Sequence, residues 1–562
     1  MHITKRTIKE LMEKSIEKYE DIPALSFYNS EPISYKELGA KIKAVQEKLK
    51  ERGVIKGDKI AIIGENSPNW GIAYLGITTM GAVAVPILPD FPAEDIAHII
   101  NHSESHIAFV TKKQLDKLSE VDIRELEIVI TLDDFTMKES KYELEPISRM
   151  LSIASDFIRS IPIKLGIYTE EVQEEDLAAI IYTSGTTGHS KGVMLTHRNI
   201  ASNVLQIYDF FDLKEGERIL SILPLSHAYE CTLGFLYPLF AGCTIYYIGK
   251  KPTARTLREA AGKVKPNVIA AVPLIIEKIY KREVQPALRK NLAIRFLTFT
   301  PLKSAIFRKI GKKMIDFFGG QLRTMAFGGA PLGLELEKFL RKAKFPYAVG
   351  YGLTETSPVL TGAKVGETKL GSAGRPLMEV EIKIADPDPK TGIGEIWVRG
   401  PNIMKGYYKN KGLTKEVLTE DGWLKTGDLG YLDKDEYLYI KGRSKNMILG
   451  PNGENIFPET IEEKLNMHPY VEESLVIERE GVLEAWIYIE PSFLEKKLEG
   501  KSEAKREEII NEILEEIRQE VNEKLPAFAK IKRCVEHPAP FEKTPTHKIK
   551  RYLYYHPTKK RT

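Results

Sequence analysis

Between residues 35 and 110 the chain switches repeatedly between helical and strand periodicity, and this switching constrains its fold more than any other feature. Apolar residues recur at helical spacing over Tyr35–Arg52, ahead of the strand-like run Lys59-Ile-Ala-Ile-Ile63. A helical stretch over Asn69–Met80 leads to Val83-Ala-Val-Pro-Ile87, and another over Pro92–Asn101 leads to Ile107-Ala-Phe-Val110. Strands alternating with helices are joined by crossovers, which set neighbouring strands parallel and place helices on both faces. The expected class is therefore α/β, with doubly wound sheets in a large N-terminal domain. Near Val380–Ile384, Gly394–Val398 and Tyr437–Ile440 the pattern changes to short strands separated by Gly, Pro and Asp, which predicts a β-barrel-like subdomain. After Gly442-Arg443 the chain starts again, with a helix at Pro458–Leu465, strands near Val471–Ile477 and Leu483–Ile489, and an amphipathic helix carrying Ile510, Ile513, Leu514, Ile517, Val521 and Leu525. A chain of 562 residues is too long for one core. The expected division is 1–442 for the large domain and 443–562 for a small α+β domain.

Charge and cysteine usage narrow the partners. The 82 Lys and Arg against 78 Asp and Glu give a net charge of only +4, which offers no argument for nucleic acid. The positive charge is unevenly spread, because residues 281–313 hold ten Lys or Arg and a single acid, Glu283. That stretch could receive an anionic membrane or another acidic partner, or be a solvated face. Residues 147–158, within the unusual segment 140–175, place Ile147, Met150, Leu151, Ala154, Phe157 and Ile158 on one helical face and could touch lipid or cover a substrate channel. Cys231, Cys243 and Cys534 show no CxxC spacing and read as thiols in a reducing cytosol. The amino terminus lacks an apolar signal core, so a cytoplasmic location is expected, with peripheral membrane attachment as an option. Two uncharged runs, 66–89 and 231–249, are interrupted by Pro68, Pro86 and Pro238 and read as buried helix-and-strand pieces. Oligomeric state is open, with a homodimer as one option.

The apolar run Leu177-Ala-Ala-Ile-Ile181 runs straight into Tyr182-Thr-Ser-Gly-Thr-Thr-Gly-His-Ser-Lys-Gly192. A strand followed by a glycine-rich loop lets backbone N–H groups approach an anion, while Thr183, Ser184, Thr186 and Thr187 add hydroxyl donors and Lys191 supplies charge. Each component suits a polyphosphate such as ATP; a flexible connection between core elements is the other reading. A Walker loop is excluded, since counting from Gly185 puts Ser190-Lys191-Gly192 where Gly-Lys-Ser/Thr would be required.

That loop resembles the phosphate loop of AMP-forming adenylating enzymes, the superfamily of acyl-CoA synthetases, peptide-synthetase adenylation domains and luciferases. Ser190 stands where the family usually has proline. Further motifs follow in family order. Leu223-Pro-Leu-Ser-His-Ala-Tyr-Glu230 and Val272-Pro-Leu-Ile-Ile-Glu-Lys-Ile-Tyr280 are similar in wording to long-chain fatty acyl-CoA synthetases, with Leu274 replacing a frequent arginine. Phe327-Gly-Gly-Ala-Pro-Leu332, Gly350-Tyr-Gly-Leu-Thr-Glu-Thr356, Trp423-Leu-Lys-Thr-Gly-Asp428, Gly442-Arg-Ser-Lys-Asn446 and Lys543-Thr-Pro-Thr-His-Lys-Ile-Lys-Arg551 complete the set, with His547 replacing glycine.

The resemblance implies a role for each matching position. Thr183, Ser184, Gly185, Thr186, Thr187, Gly188 and Lys191 would cradle the phosphates, Gly329, Ala330 and Gly352 would approach adenine and the acyl group, and Tyr351 would stack on adenine. Thr354 would bond the α-phosphate, Glu355 would hold Mg2+, and Asp428 with Arg443 would grip the ribose. His227 would orient the acyl carboxylate, Lys548 would stabilise charge during adenylation, Lys445 would be the pivot of the small domain, and Gly450 would lie on the pantetheine path. The implied activity is a long-chain fatty acid–CoA ligase that uses ATP, Mg2+ and CoA. It would activate a medium- to long-chain fatty acid as acyl-AMP and transfer it to CoA. An acyl-acyl carrier protein synthetase is the alternative, and a non-catalytic nucleotide or lipid binder a third.

Overall fold

The structure is a computed structural model that describes residues 1–139, 171–183, 190–286, 303–450, 454–544 and 548–554. The apolar face at 147–158, loop residues Ser184, Gly185, Thr186, Thr187 and Gly188, the middle of the basic stretch and His547 lie outside the described residues.

Two large sheets carry the N-terminal part. The central strands of the first are Leu177–Thr183, Val83–Ile87, Lys59–Ile63, Ile107–Val110 and Ile128–Thr131, all parallel in that spatial order. Antiparallel strands close its two edges, with Lys191–Thr196 and then Gly406–Tyr407 beyond Leu177–Thr183. In the second sheet Pro23–Phe27, Thr244–Tyr247, Arg218–Ser221, Val268–Ala271, Thr324–Phe327 and Tyr347–Gly352 run parallel, again with antiparallel edges. Every strand expected between residues 59 and 110 forms at the expected residues, because each is apolar on both faces and can be buried only inside a parallel sheet.

One hydrophobic core takes side chains from both sheets and from the helices between them, including Leu25, Ile62, Tyr74 and Phe235. The helix Pro68–Thr79 is the clearest case. All residues from Trp70 to Thr79 are buried, and Ser67 caps its first turn by accepting the Trp70 N–H. A helix apolar all round belongs between layers. Among the described residues, no helix is long and apolar enough to cross a membrane.

The expected barrel-like piece is a four-stranded antiparallel sheet of Glu381–Ala385, Gly394–Arg399, Leu424–Leu432 and Leu438–Arg443. Beyond it a separate core forms around the hairpin Val471–Arg479 and Val482–Ile489, the helix Pro458–Asn466 and the helix Glu503–Asn522, which buries Ile513, Leu514, Ile517 and Val521. The two bodies touch through polar contacts. Glu463 Oε1 accepts the Leu334 N–H at 2.7 Å, Lys278 faces Glu472 at 3.5 Å, and Lys281 donates to the Val471 carbonyl at 3.0 Å. Lys281, the first cation of the basic stretch, is thus spent on an internal contact, whereas Lys303, Arg308, Lys309, Lys312 and Lys313 on the helix Lys303–Phe317 are exposed.

A π-helical turn, Glu230–Leu236, buries a carboxyl group in the main core. Glu230 is 1% exposed, and neither of its oxygens has a hydrogen-bond partner among the described residues. Gly234 makes room for it, since a Cβ there would lie 2.5 Å from the Glu230 carboxyl carbon. Burial pushes the Glu230 pKa up to about 8, with the Ser221 hydroxyl opposing. The unfolded chain therefore sheds this proton well before the native protein does, and stability falls as pH rises from about 4.5 through about 8. Glu230→Gln removes that slope. Thermal unfolding at pH 5 and pH 8.5 should show the variant gaining on the parent at the higher pH, by a few kcal/mol as an order of magnitude.

Candidate active site

The C-terminal ends of Val268–Ala271, Thr324–Phe327 and Tyr347–Gly352 lie side by side, so the residues that follow them share one rim. Open α/β sheets bind ligands at such a rim. Gly329 and Ala330 leave Thr324–Phe327 there, Gly329 with φ at +77°, and both are exposed. Gly352 ends its strand where only a hydrogen fits, because a Cβ would lie 1.7 Å from the Pro358 carbonyl oxygen. Thr354 and Glu355 follow in the short turn Thr354–Thr356, pinned by the Leu353 N–H on Thr356 Oγ1 at 2.9 Å.

Asp428 meets this rim from the four-stranded sheet. The residue is 5% exposed and takes two strong contacts, from the Tyr351 hydroxyl to Oδ2 at 2.6 Å and from Arg443 Nε to Oδ1 at 2.7 Å. Asp428 and Arg443 are register partners in the antiparallel ladder, which brings them together across the 14 residues between them. Arg443 Nη1 also donates to the Thr426 carbonyl at 3.3 Å, and Thr426 Oγ1 accepts the Asp428 N–H at 3.1 Å. Burial raises the Asp428 pKa, while Arg443 and the Tyr351 hydroxyl pull against it.

The glycine-rich loop is closed by a hairpin. Leu177–Thr183 and Lys191–Thr196 pair antiparallel, with Thr183 opposite Lys191. Thr183 and Lys191 are therefore fixed at the loop's two ends. The Lys191 pKa is lowered, by burial first and by Lys445 second, with Glu355 opposing. Lys445 is exposed in the turn Ser444–Asn446, close enough to Lys191 to lower its pKa.

Lys548 closes the constellation from the far end of the chain. Its backbone is held in a turn by Thr544, whose N–H donates to the Lys548 carbonyl at 2.8 Å and whose Oγ1 accepts the Lys548 N–H at 3.2 Å. Lys548 is exposed. Its pKa is lowered by the surrounding protein and by Arg443, against the pull of Asp428 and Glu355. His227 senses the same ammonium. Burial, then Lys548, lowers the imidazole to a pKa of about 4, so the ring is neutral near pH 7. Its Nδ1 accepts the Tyr229 N–H at 3.2 Å, which puts the ring proton on Nε2 as a donor.

The structure thus gathers Tyr351, Glu355, Lys191, Asp428, Arg443, Lys445, His227 and Lys548 into one electrostatic neighbourhood. Gly450 is buried at the end of Ile448–Leu449, where its N–H donates to the Glu454 carbonyl at 2.8 Å. Among the described residues, no hydrogen bond of Gly450 reaches the rest of the set. Tyr407 was not legible as a site residue: its hydroxyl donates to Glu355 Oε1 at 2.9 Å and its ring lies 5.5 Å beneath the Lys191 ammonium. The only sequence signal was an aromatic pair after Gly406, which is common in buried strands.

The chain is similar to known proteins along most of its length. Residues 12–408 match the family model described as AMP-binding enzyme, and residues 445–559 match the AMP-binding enzyme C-terminal domain. The chain is similar to the long-chain-fatty-acid–CoA ligase FadD15 of Mycobacterium bovis, 30% identical over 497 residues, covering 82% of this chain and 78% of that protein. It is equally similar to the chloroplastic long-chain-fatty-acid–[acyl-carrier-protein] ligase AEE15 of Arabidopsis thaliana, 30% identical over 552 residues, covering 84% of this chain and 74% of the relative. Among solved structures, an ATP-bound RpMatB-BxBclM chimera shares the fold, with a TM-score of 0.75 at 23% identity over 98% of both chains. With the first of these models spanning most of the chain, this protein belongs to the AMP-binding enzyme family.

Proposed function

We propose that the protein is an AMP-forming ligase that activates a medium- to long-chain fatty acid and passes the acyl group to CoA. The observation that carries this reading is the convergence of Lys548, from the last described segment, on Asp428, Arg443, Glu355 and His227. A compact ammonium there can offset charge that gathers when a carboxylate attacks the α-phosphorus of ATP and pyrophosphate leaves. Asp428, with Arg443 fixing its orientation, would accept hydrogen bonds from the ribose hydroxyls, and Thr354 and Lys191 would meet the phosphates. His227, neutral with a donor on Nε2, would orient the acid without adding charge. The fatty acid is favoured by the wording around His227 and by the FadD15 relative.

The site fits Mg2+. Glu355 offers a carboxylate with Oε1 held by Tyr407 and no hydrogen bond to Oε2 among the described residues. Magnesium takes one or two carboxylates plus phosphate oxygens, a set of hard oxygen donors that Glu355 and ATP would provide together. When bound, the ion would neutralise phosphate charge.

The second half-reaction needs a different face. We place the pivot at Lys445, between an N-terminal domain of 1–442 and a mobile domain of 443–562, with Gly450 brought toward the thiol path once Lys548 withdraws. The thiol then forms a C–S bond to the acyl carbon as AMP leaves. An acyl carrier protein is the second acceptor to test, because the AEE15 relative matches as well as the CoA ligase.

Three outcomes test the reading. Pyrophosphate release with MgATP and acids from acetate to palmitate should be greatest with a long acid and rise on adding CoA; a rise only with acyl carrier protein reassigns the acceptor, and no release with any acid rejects the fatty-acid assignment. Lys548→Ala should lower adenylation by about 10²–10³-fold while leaving transfer from supplied acyl-AMP to CoA active. The parent should prefer ATP to 2′-deoxy-ATP by about ten- to a hundredfold, and Asp428→Ala should lose most of that preference in kcat/KM.

A further inference from the structure

The chain 403–408 joins the two halves of the phosphate side, although no family motif quoted above includes it. The Met404 N–H donates to the Glu355 carbonyl at 2.9 Å, the Lys405 N–H to the Met194 carbonyl at 3.0 Å, and the Tyr408 N–H to the Gly192 carbonyl at 2.8 Å. Tyr407 pairs with Val193 in the ladder beside Lys191. Gly406 allows this approach. Its φ is +141°, and a Cβ there would lie 2.7 Å from Thr414 Cγ2. Thr414 in turn accepts the Tyr407 N–H at 2.9 Å, and Asn410 caps the helix Lys411–Val417 that carries it. The strap is therefore fixed at several points along its backbone, and the Tyr407 side chain, 7% exposed, has one direction to take.

We propose that Tyr407 is a positioning residue that orients the Glu355 carboxylate for a divalent cation and, through its ring, sets the height of the Lys191 ammonium beside the polyphosphate. The inference rests on the reading of Glu355 as the metal-side carboxylate. Two separate contacts support it. The hydroxyl bond at 2.9 Å fixes Oε1 of Glu355, and hydrogen bonds to a ligating carboxylate hold it in the geometry the metal needs. The ring face at 5.5 Å attracts the ammonium of Lys191, a cation–π contact in a shielded place. A tyrosine serving only as core filling would present its hydroxyl to solvent or to a backbone carbonyl. This one joins the two charged groups on either side of the expected phosphates.

The two contacts can be removed separately. Tyr407→Phe keeps the ring and deletes the hydroxyl; Tyr407→Leu deletes both. ATP affinity is measured by calorimetry without any acid substrate, once with saturating Mg2+ and once in EDTA, and thermal unfolding checks that each variant is folded. Tyr407→Phe should weaken ATP binding about tenfold in Mg2+ and leave binding in EDTA unchanged. Tyr407→Leu should weaken both, since the Lys191 contact does not need the metal. Glu355→Gln is the reference. If it loses the Mg2+ enhancement while Tyr407→Phe keeps it, the positioning role is overturned and the Glu355 reading stands; if neither changes the enhancement, both fall. Equal weakening by Tyr407→Phe in Mg2+ and EDTA marks a structural role only and also overturns the proposal.

Discussion

Everything at the site depends on keeping a carboxylate charged where little water reaches it. Asp428 is nearly buried, and burial alone would drive it toward the neutral form. Tyr351 and Arg443 oppose that, and they come from different directions: Tyr351 from the rim of the nine-stranded sheet, Arg443 from the last strand before the small domain. The same contacts that hold the charge therefore lock the four-stranded sheet against the nine-stranded one and fix where the chain enters its final segment. Lys445 and Lys548 are placed relative to that point.

The shifts around Asp428 share a direction. Lys191 is depressed by burial and by Lys445, Lys548 by its surroundings and by Arg443, and His227 by burial and by Lys548. Burial is the first cause of each shift and a neighbouring cation the second. An anion placed among Lys191, Lys445, Arg443 and Lys548 would offset the like-charge part of these shifts.

Much of this was legible in the sequence, for identifiable reasons. The parallel strands announced themselves because residues such as Ile60, Ile62 and Val85 leave no polar face, and the buried helix Pro68–Thr79 because an uncharged run broken by proline has nowhere else to go. The residues now gathered around Asp428 were marked by glycine-flanked combinations of ring, hydroxyl and charge. What the sequence hid were relations set by register. The pairing of Asp428 with Arg443 needed the ladder, the hairpin that closes the glycine loop needed the second strand at Lys191–Thr196, and Tyr407 needed a neighbour 52 residues away. Glu230 was visible as a charge in an apolar run, but its lack of partners depends on the packing of Gly234 and the turn around it.

Gly352 sets a boundary on how this site can change. The chain there passes so close to the Pro358 carbonyl that even a methyl group would displace backbone. Position 352 therefore offers no variation that leaves the main chain in place. A substitution there would move the strand end that carries Tyr351 and the turn that carries Thr354 and Glu355, so new specificity has to be sought in walls more remote from this turn.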